Sequence, residues 1–107
     1  MTDLRDLTER EREVLRVMVS VLSDETTALA DTIRVIRECD CGCATIIFGD
    51  QADNHLLADS LVEVGGDSVL LFGWEGGPLT SMEIAWVSDE PPKEFPPPHT
   101  LTPRRRA

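Results

Sequence analysis

Three cysteines alternate with other residues in the segment Cys39-Asp40-Cys41-Gly42-Cys43. Thiolates are soft ligands that bind Zn²⁺ and Cu(I), so this spacing is the one unusual chemical feature of the chain. Along an extended strand the three sulfurs would share one face, whereas a turn at Gly42 would break that alignment. Cys39, Cys41 and Cys43 are therefore the candidate metal ligands, with zinc or Cu(I) as the alternative to no cofactor.

A common structural zinc site takes four ligands, and the sequence has no second pair of cysteines. A fourth ligand would have to be His55, His99 or a carboxylate, and nothing in the sequence places either histidine nearby. The spacing also differs from the Cys-x-x-Cys motif of redox proteins. The alternative interpretation is that the cysteines are small apolar residues around a tight turn.

Motifs for catalysis are not found. The segments Gly65-Gly66-Asp67 and Gly76-Gly77-Pro78 lie between apolar runs and are typical of turns, not of phosphate-binding loops. The serines have no nucleophile motif around them, and no catalytic pair stands out among 20 acidic residues. The sequence thus predicts no catalytic and no cofactor-binding residues, and we expect a protein that is not an enzyme.

The net charge of the 107-residue chain is −10. An acidic surface repels phosphate groups, which argues against binding nucleic acid or an anionic membrane. No apolar run is long enough to span a bilayer, and residues 1–13 lack the apolar region of a signal peptide. We expect a cytoplasmic protein with reduced thiols, whose partner is a protein, with a basic protein or a second copy of the chain as the options.

The elements that must position the cysteines are two helices followed by strands. Thr8 and Glu11 have capping-box spacing, and apolar residues then recur at helical spacing from Val14 to Leu22. A second helix is predicted over residues 24–31. Strands are predicted at residues 33–39, 44–48 and 61–64 and as a hairpin within 68–86, with a helical turn at 55–60.

This order predicts an α+β fold, with two N-terminal helices packed on a mostly antiparallel sheet of about five strands. Residues 1–90 would form this single domain. Residues 91–107 would follow as a proline-rich arm, pinned to the body by Phe95, and a disordered basic tail at Arg104–Arg106.

The hairpin has two possible registers. A two-residue turn at Gly76-Gly77 pairs Phe72 with Ser81 and Leu70 with Glu83, which mixes apolar with polar residues. A shift of one residue puts six apolar side chains on one face: Leu70, Phe72, Trp74, Met82, Ile84 and Trp86. Burial favours the second register, which needs an odd-length loop or a bulge at the glycines. In the first register both faces of the hairpin must be covered, and the second face would be a candidate partner surface.

The segment Cys41-Gly42-Cys43 with its following strand, residues 77–83 leading to Trp86, and residues 88–92 resemble parts of a group of small uncharacterised bacterial proteins. Those proteins have an N-terminal helix, a Cys-Gly-Cys turn, a strand with a Leu-Ser-x-Leu-Glu-like sequence and a proline-rich end. The resemblance covers most of the chain. It implies a domain layout, and it implies no activity and no functional residues.

Three functions remain open from the sequence. The first is a non-catalytic protein-interaction module, for which an immunity-protein or antitoxin-like role, with a compact acidic domain masking a basic enzyme, is one version. The second is a metal- or thiol-handling protein that uses Cys39, Cys41 and Cys43. The third is a small enzyme or ligand-binding domain, which would need a polar pocket between helices and sheet.

Overall fold

A computed structural model of the protein describes residues 4–39, 41–49, 54–63, 65–74 and 76–106. Helix α1 spans Glu9–Val19. The Thr8 hydroxyl accepts from the Glu11 amide and the Glu11 carboxylate accepts from the Thr8 amide, so the predicted capping box is confirmed. These reciprocal bonds satisfy backbone donors that the first turn would otherwise leave without partners.

Helix α2 spans Asp24–Ala30 and begins after the N-cap Ser23, whose hydroxyl accepts from the Thr26 amide. The buried Thr26 hydroxyl accepts in turn from the Gly76 amide at 3.0 Å, which ties this helix to the turn of the central hairpin. Neither helix is long and apolar enough to cross a membrane, and the same holds for all helical segments among the described residues.

One sheet of six strands carries the fold, and every strand pair is antiparallel. In chain order the strands are β1 (Arg37–Glu38), β2 (Ile46–Ile47), β3 (His55–Leu61), β4 (Ser68–Gly73), β5 (Leu79–Ala85) and β6 (Arg104–Arg105). They are arranged in space as β1-β2-β5-β4-β3-β6. The α+β expectation is confirmed, with six strands where about five were expected, and the β4–β5 hairpin lies at the centre.

The hydrophobic core lies between the helices and one face of the sheet. The apolar stripe of α1 packs there against inward side chains of the central strands, and all of these residues are at most 5% exposed: Val14, Leu15, Met18, Val69, Leu71, Met82 and Ile84. The core-facing positions alternate along β4 as expected of a strand with one covered face.

The region predicted as a helical turn at residues 55–60 belongs instead to β3, so that prediction is wrong. Leu57 is an extra residue between two registers, because Leu56 pairs with Phe72 while Ala58 pairs with Leu71. This bulge turns both Leu57 and Ala58 towards the core. The bulge therefore interrupts the alternation of apolar and polar residues by which a strand is recognised in a sequence.

The register expected for the central hairpin is also wrong over most of its length. Phe72 pairs with Ser81 and Leu70 with Glu83, as in the register that burial was expected to exclude. A bulge is present, but it leaves Thr80 unpaired, since the next pair is Gly73 with Leu79. Next to the loop, Gly73 and Leu79 pair in the shifted register. Beyond the bulge, the strands pair in the register of the two-residue turn.

The C-terminal segment packs on the domain. Phe95 is 1% exposed, and its carbonyl accepts from the Arg10 guanidinium at 2.9 Å. After the 3₁₀ turn Pro98–Thr100, the chain pairs with β3 as β6, so the expected disorder of the arginine tail is wrong. The burial of Phe95 agrees with its expected contact with the body, whereas a proline-rich arm is not confirmed and the boundary at residue 90 stays a prediction.

Candidate metal centre

The cysteine cluster, formed by Cys39, Cys41 and Cys43, lies in the turn between β1 and β2. The Gly42 amide donates to the Cys39 carbonyl at 3.3 Å and closes this turn. Gly42 has a φ of 89°, which a residue with a side chain adopts only at a cost, so the glycine suits the tight reversal. Asp40 lies outside the described residues.

The turn brings the three sulfurs together instead of separating them. All three Sγ atoms lie within 4.8 Å of one another, and those of Cys39 and Cys41 are 2.8 Å apart. None of the three forms a disulfide. Cys41 is exposed, and the other two are half-buried, so an ion in solvent can reach the cluster. The exposure of Cys41 does not fit the alternative interpretation, in which the cysteines are small apolar residues packed around a tight turn.

Backbone bonds hold the cluster on the sheet. The Cys39 amide donates to the Thr45 carbonyl at 3.2 Å, and the Cys43 amide donates to the Cys41 sulfur at 3.4 Å. Thr45 is 8% exposed, and its hydroxyl accepts from the Ile84 amide of β5. The buried Thr45, which directly precedes β2, thus fixes the end of the turn.

Hydrogen bonds between the thiols shift their pKa values in opposite directions. The bonds of the Cys41 thiol to the Cys39 and Cys43 sulfurs raise the pKa of Cys41 to about 11. Burial raises the pKa of Cys43, but bonds from Thr45 and from the neighbouring thiols outweigh burial and lower it overall.

The histidines considered as a fourth ligand lie elsewhere. The His55 ring meets the Trp74 ring edge-on at a centroid distance of 4.4 Å, and His99 is exposed in the 3₁₀ turn. Among the described residues, the metal-ligating group consists of the three cysteines alone.

Two surface grooves lie near the cluster. One of about 520 Å³ runs along β1 from Leu4 to Cys39. The other, of about 470 Å³, lies between the start of α1, Ala44 and the segment around Phe95. Two cations line this groove, Arg10 and Lys93, and the Arg10 guanidinium is paired with the Glu94 carboxylate at 2.8 Å. The hypothesis of a small enzyme stays a prediction, since neither groove identifies a reaction.

The sheet has a second feature, its outer face, which we define as the side turned away from the helices. Its rows follow from the strand pairs: Arg37, Ile47, Ser81, Phe72 and Leu56 form one row across five strands. Glu83, Leu70, Asp59 and Arg104 form the next.

Apolar side chains make up the middle of the outer face. Ile47, Leu56, Leu70 and Phe72 are all half-buried, and none of them packs against the core cluster. Outward positions of such a sheet are ordinarily polar. The two carboxylates differ: Asp59 is held by Arg104 and Arg106, whereas Glu83 accepts from the Ser81 hydroxyl and makes no ion pair with any cation of the described residues.

The alternating cysteines identified the candidate ligands, but the sequence did not show that their sulfurs converge. The apolar outer face was harder to predict from the sequence. Leu70 and Phe72 alternate with Val69 and Leu71, which are also apolar, so only the pairing with β5 shows which side of β4 the core covers. No family model, curated protein or solved structure matches this chain.

Proposed function

We propose that this protein binds one Cu(I) ion through Cys39, Cys41 and Cys43 and acts as a metal-handling protein. The observation that carries the proposal is the convergence of three free sulfurs within 4.8 Å of one another. Thiolates prefer soft cations, and a cluster of this size lets one ion contact all three.

Copper is favoured over zinc by the number of ligands. Zinc in structural sites takes four protein ligands, and a catalytic zinc takes three plus water. Cu(I) is the softer ion and is satisfied by two or three thiolates. Three cysteines without a fourth ligand among the described residues therefore suit Cu(I) better.

The proposed setting is the reducing cytoplasm. The three cysteines are free thiols, and free thiols persist where cellular reductants keep them reduced. The proposed role is binding without catalysis, because the three free thiols are metal ligands and neither groove beside them identifies a reaction.

The test is an anaerobic titration of the full chain with Cu(I) against a competing chelator, bathocuproine disulfonate. We expect one Cu(I) per chain, with affinity falling on the order of tenfold or more in Cys39→Ser, Cys41→Ser and Cys43→Ser. His55→Ala and His99→Ala are the matched controls and should bind as the unchanged chain does.

A chain that binds no Cu(I), or whose affinity is the same after all three serine substitutions, would refute the proposal. Tighter binding of Zn²⁺ than of Cu(I) in the same assay would refute the choice of metal. Circular dichroism of each variant separates loss of ligands from loss of folding.

The outer face supports a second candidate, a protein-interaction module. Half-buried apolar side chains at Ile47, Leu56, Leu70 and Phe72 form a surface of the kind that marks interaction sites. Both sheet edges are strands of two residues, which offer little backbone for edge pairing. The face is thus a better contact surface than the edges.

The proposed occupant is a basic protein segment. Glu83 lies among apolar side chains without a cation partner from the described residues, and the chain as a whole carries −10. A lysine or arginine flanked by apolar residues would complement both features. An immunity-protein or antitoxin-like role against a basic enzyme is the version that this chemistry fits.

Photo-crosslinking in cells tests this candidate, with the reactive group placed at Phe72 and, as the control, at Val87, which is 73% exposed and lies beyond β5. We expect a cross-linked basic protein from position 72 only, and less of it in Glu83→Lys. A cross-link to a second copy of the chain would favour self-association instead, and identical products at both positions would refute a specific surface.

A further inference from the structure

Two of the three cysteines are much closer than metal binding requires. The Cys39 and Cys41 sulfurs are 2.8 Å apart, and a disulfide bond measures about 2.05 Å. The turn closed by the Gly42 amide already holds their backbones in a reversal. Less than an ångström of sulfur movement therefore separates the two thiols from bonding distance.

The third cysteine is held differently. Cys43 is half-buried and packs against the hydrophobic core, whereas Cys41 is exposed. Thr45, two residues further along the chain, is itself fixed to β5 by the bond from the Ile84 amide. A disulfide from Cys43 would have to give up these contacts.

We infer that Cys39 and Cys41 form a reversible disulfide that leaves Cys43 as a free thiol and switches off the metal site. The switch rests on the proposed function for its consequence, but the disulfide itself rests only on the position of the two sulfurs. The cluster would then bind metal when reduced and release it when oxidised.

The oxidant that we name is a small-molecule disulfide such as oxidised glutathione. One cluster thiolate attacks a sulfur of the oxidant, forming a mixed disulfide and releasing one small thiol. The second cysteine attacks the protein sulfur of that mixed disulfide, so the Cys39–Cys41 bond forms and the second small thiol leaves. Two electrons and two protons pass from the cysteines to the oxidant.

Disulfide and metal exclude each other for a chemical reason. Metal binding needs deprotonated sulfurs with free electron pairs, and a disulfide removes two thiolates of three. One remaining thiolate cannot hold the ion against cellular thiols.

The test uses the metal-free full chain, treated with oxidised glutathione, alkylated, and cut before aspartates. Asp40 lies between the two cysteines, so cleavage separates Cys39 from the peptide with Cys41 and Cys43. We expect these two peptides to be linked, with one alkylated cysteine. The link should persist in Cys43→Ser and disappear in Cys41→Ser.

An unlinked, alkylated Cys39 peptide would overturn the inference, and so would a link that disappears in Cys43→Ser. Because no metal is present, this readout is the same whether or not Cu(I) binds, so failure of the metal proposal is seen separately in the copper titration. In a second arm, the Cu(I)-loaded chain should form the link at least about tenfold more slowly. An equal rate in a chain shown to bind Cu(I) would overturn the coupling.

Discussion

The Thr45 hydroxyl accepts a hydrogen bond from the Ile84 amide at 3.1 Å, and this bond fastens the cysteine turn to the central hairpin. Both residues are buried, at 8% and 5% exposed. The backbone donor of Ile84 is thus satisfied by the side chain of the residue that directly precedes β2. This contact links the cysteine turn to the core of the sheet.

Replacing Thr45 by valine keeps the side-chain shape and removes the acceptor. We expect Thr45→Val to lower the free energy of unfolding by about 1–3 kcal/mol, because the buried Ile84 amide loses its partner. Urea denaturation measures the loss, with the exposed Thr102→Val as control. Equal effects of the two substitutions would show that the bond contributes little.

The Glu11 carboxylate lies 2.8 Å from the Arg5 guanidinium and also caps α1. Burial raises the pKa of Glu11, but the bonds from Arg5 and Thr8 outweigh it and hold the pKa below its ordinary value of 4.5. Because the folded-state pKa is lowered, this stabilisation is fully present above the ordinary carboxyl pKa. It is lost as the pH falls through the folded-state pKa.

We therefore expect Glu11→Gln, which retains the cap acceptor, to destabilise the protein by about 1 kcal/mol at pH 7. The difference from the unchanged chain should shrink below pH 4.5. Thermal unfolding across pH measures this, with the exposed Glu13→Gln as control. A difference that does not change with pH would contradict the ion-pair explanation.

Gly73 lies where the hairpin changes register. A Cβ atom there would be 2.7 Å from both the Leu79 Cα and the Pro78 carbonyl oxygen, and the φ of 155° is one that side chains rarely adopt. Gly73→Ala should cost about 1–3 kcal/mol, because backbone atoms must move. At Gly49 the nearest atom is 3.9 Å away, so Gly49→Ala is the control in the same unfolding assay.

Phe95 tests whether residues 91–107 are a separate arm. Its side chain is 1% exposed, so Phe95→Ala should lower the free energy of unfolding by about 3–5 kcal/mol. The exposed Lys93→Ala serves as control. A loss near zero would support an independent arm beyond residue 90, whereas a large loss in one cooperative transition would make this segment part of the domain.

The features that the sequence predicts correctly depend only on residues close together in the chain. The capping box needs only the side chains of Thr8 and Glu11, and the glycine turn needs only the backbone freedom of Gly42. The convergence of the sulfurs was left open, because it depends on how tightly the turn closes.

The wrong predictions concern segments whose conformation depends on pairing with a strand that is distant in the sequence. The bulges at Leu57 and Thr80 change which side chains face the core, and each depends on pairing with β4. Arg104 and Arg105 have the composition of a disordered tail, and they form β6 because β3 offers them an edge.

The position of β6 has a consequence for synthesis of the chain. More than forty residues separate β3 from the segment that covers its free edge. While these residues are still being translated, the nascent sheet exposes an unpaired strand that other chains could join. The edge is thus completed only after Arg104 and Arg105 have been translated, and truncations before Arg104 should aggregate more than truncations after Arg106.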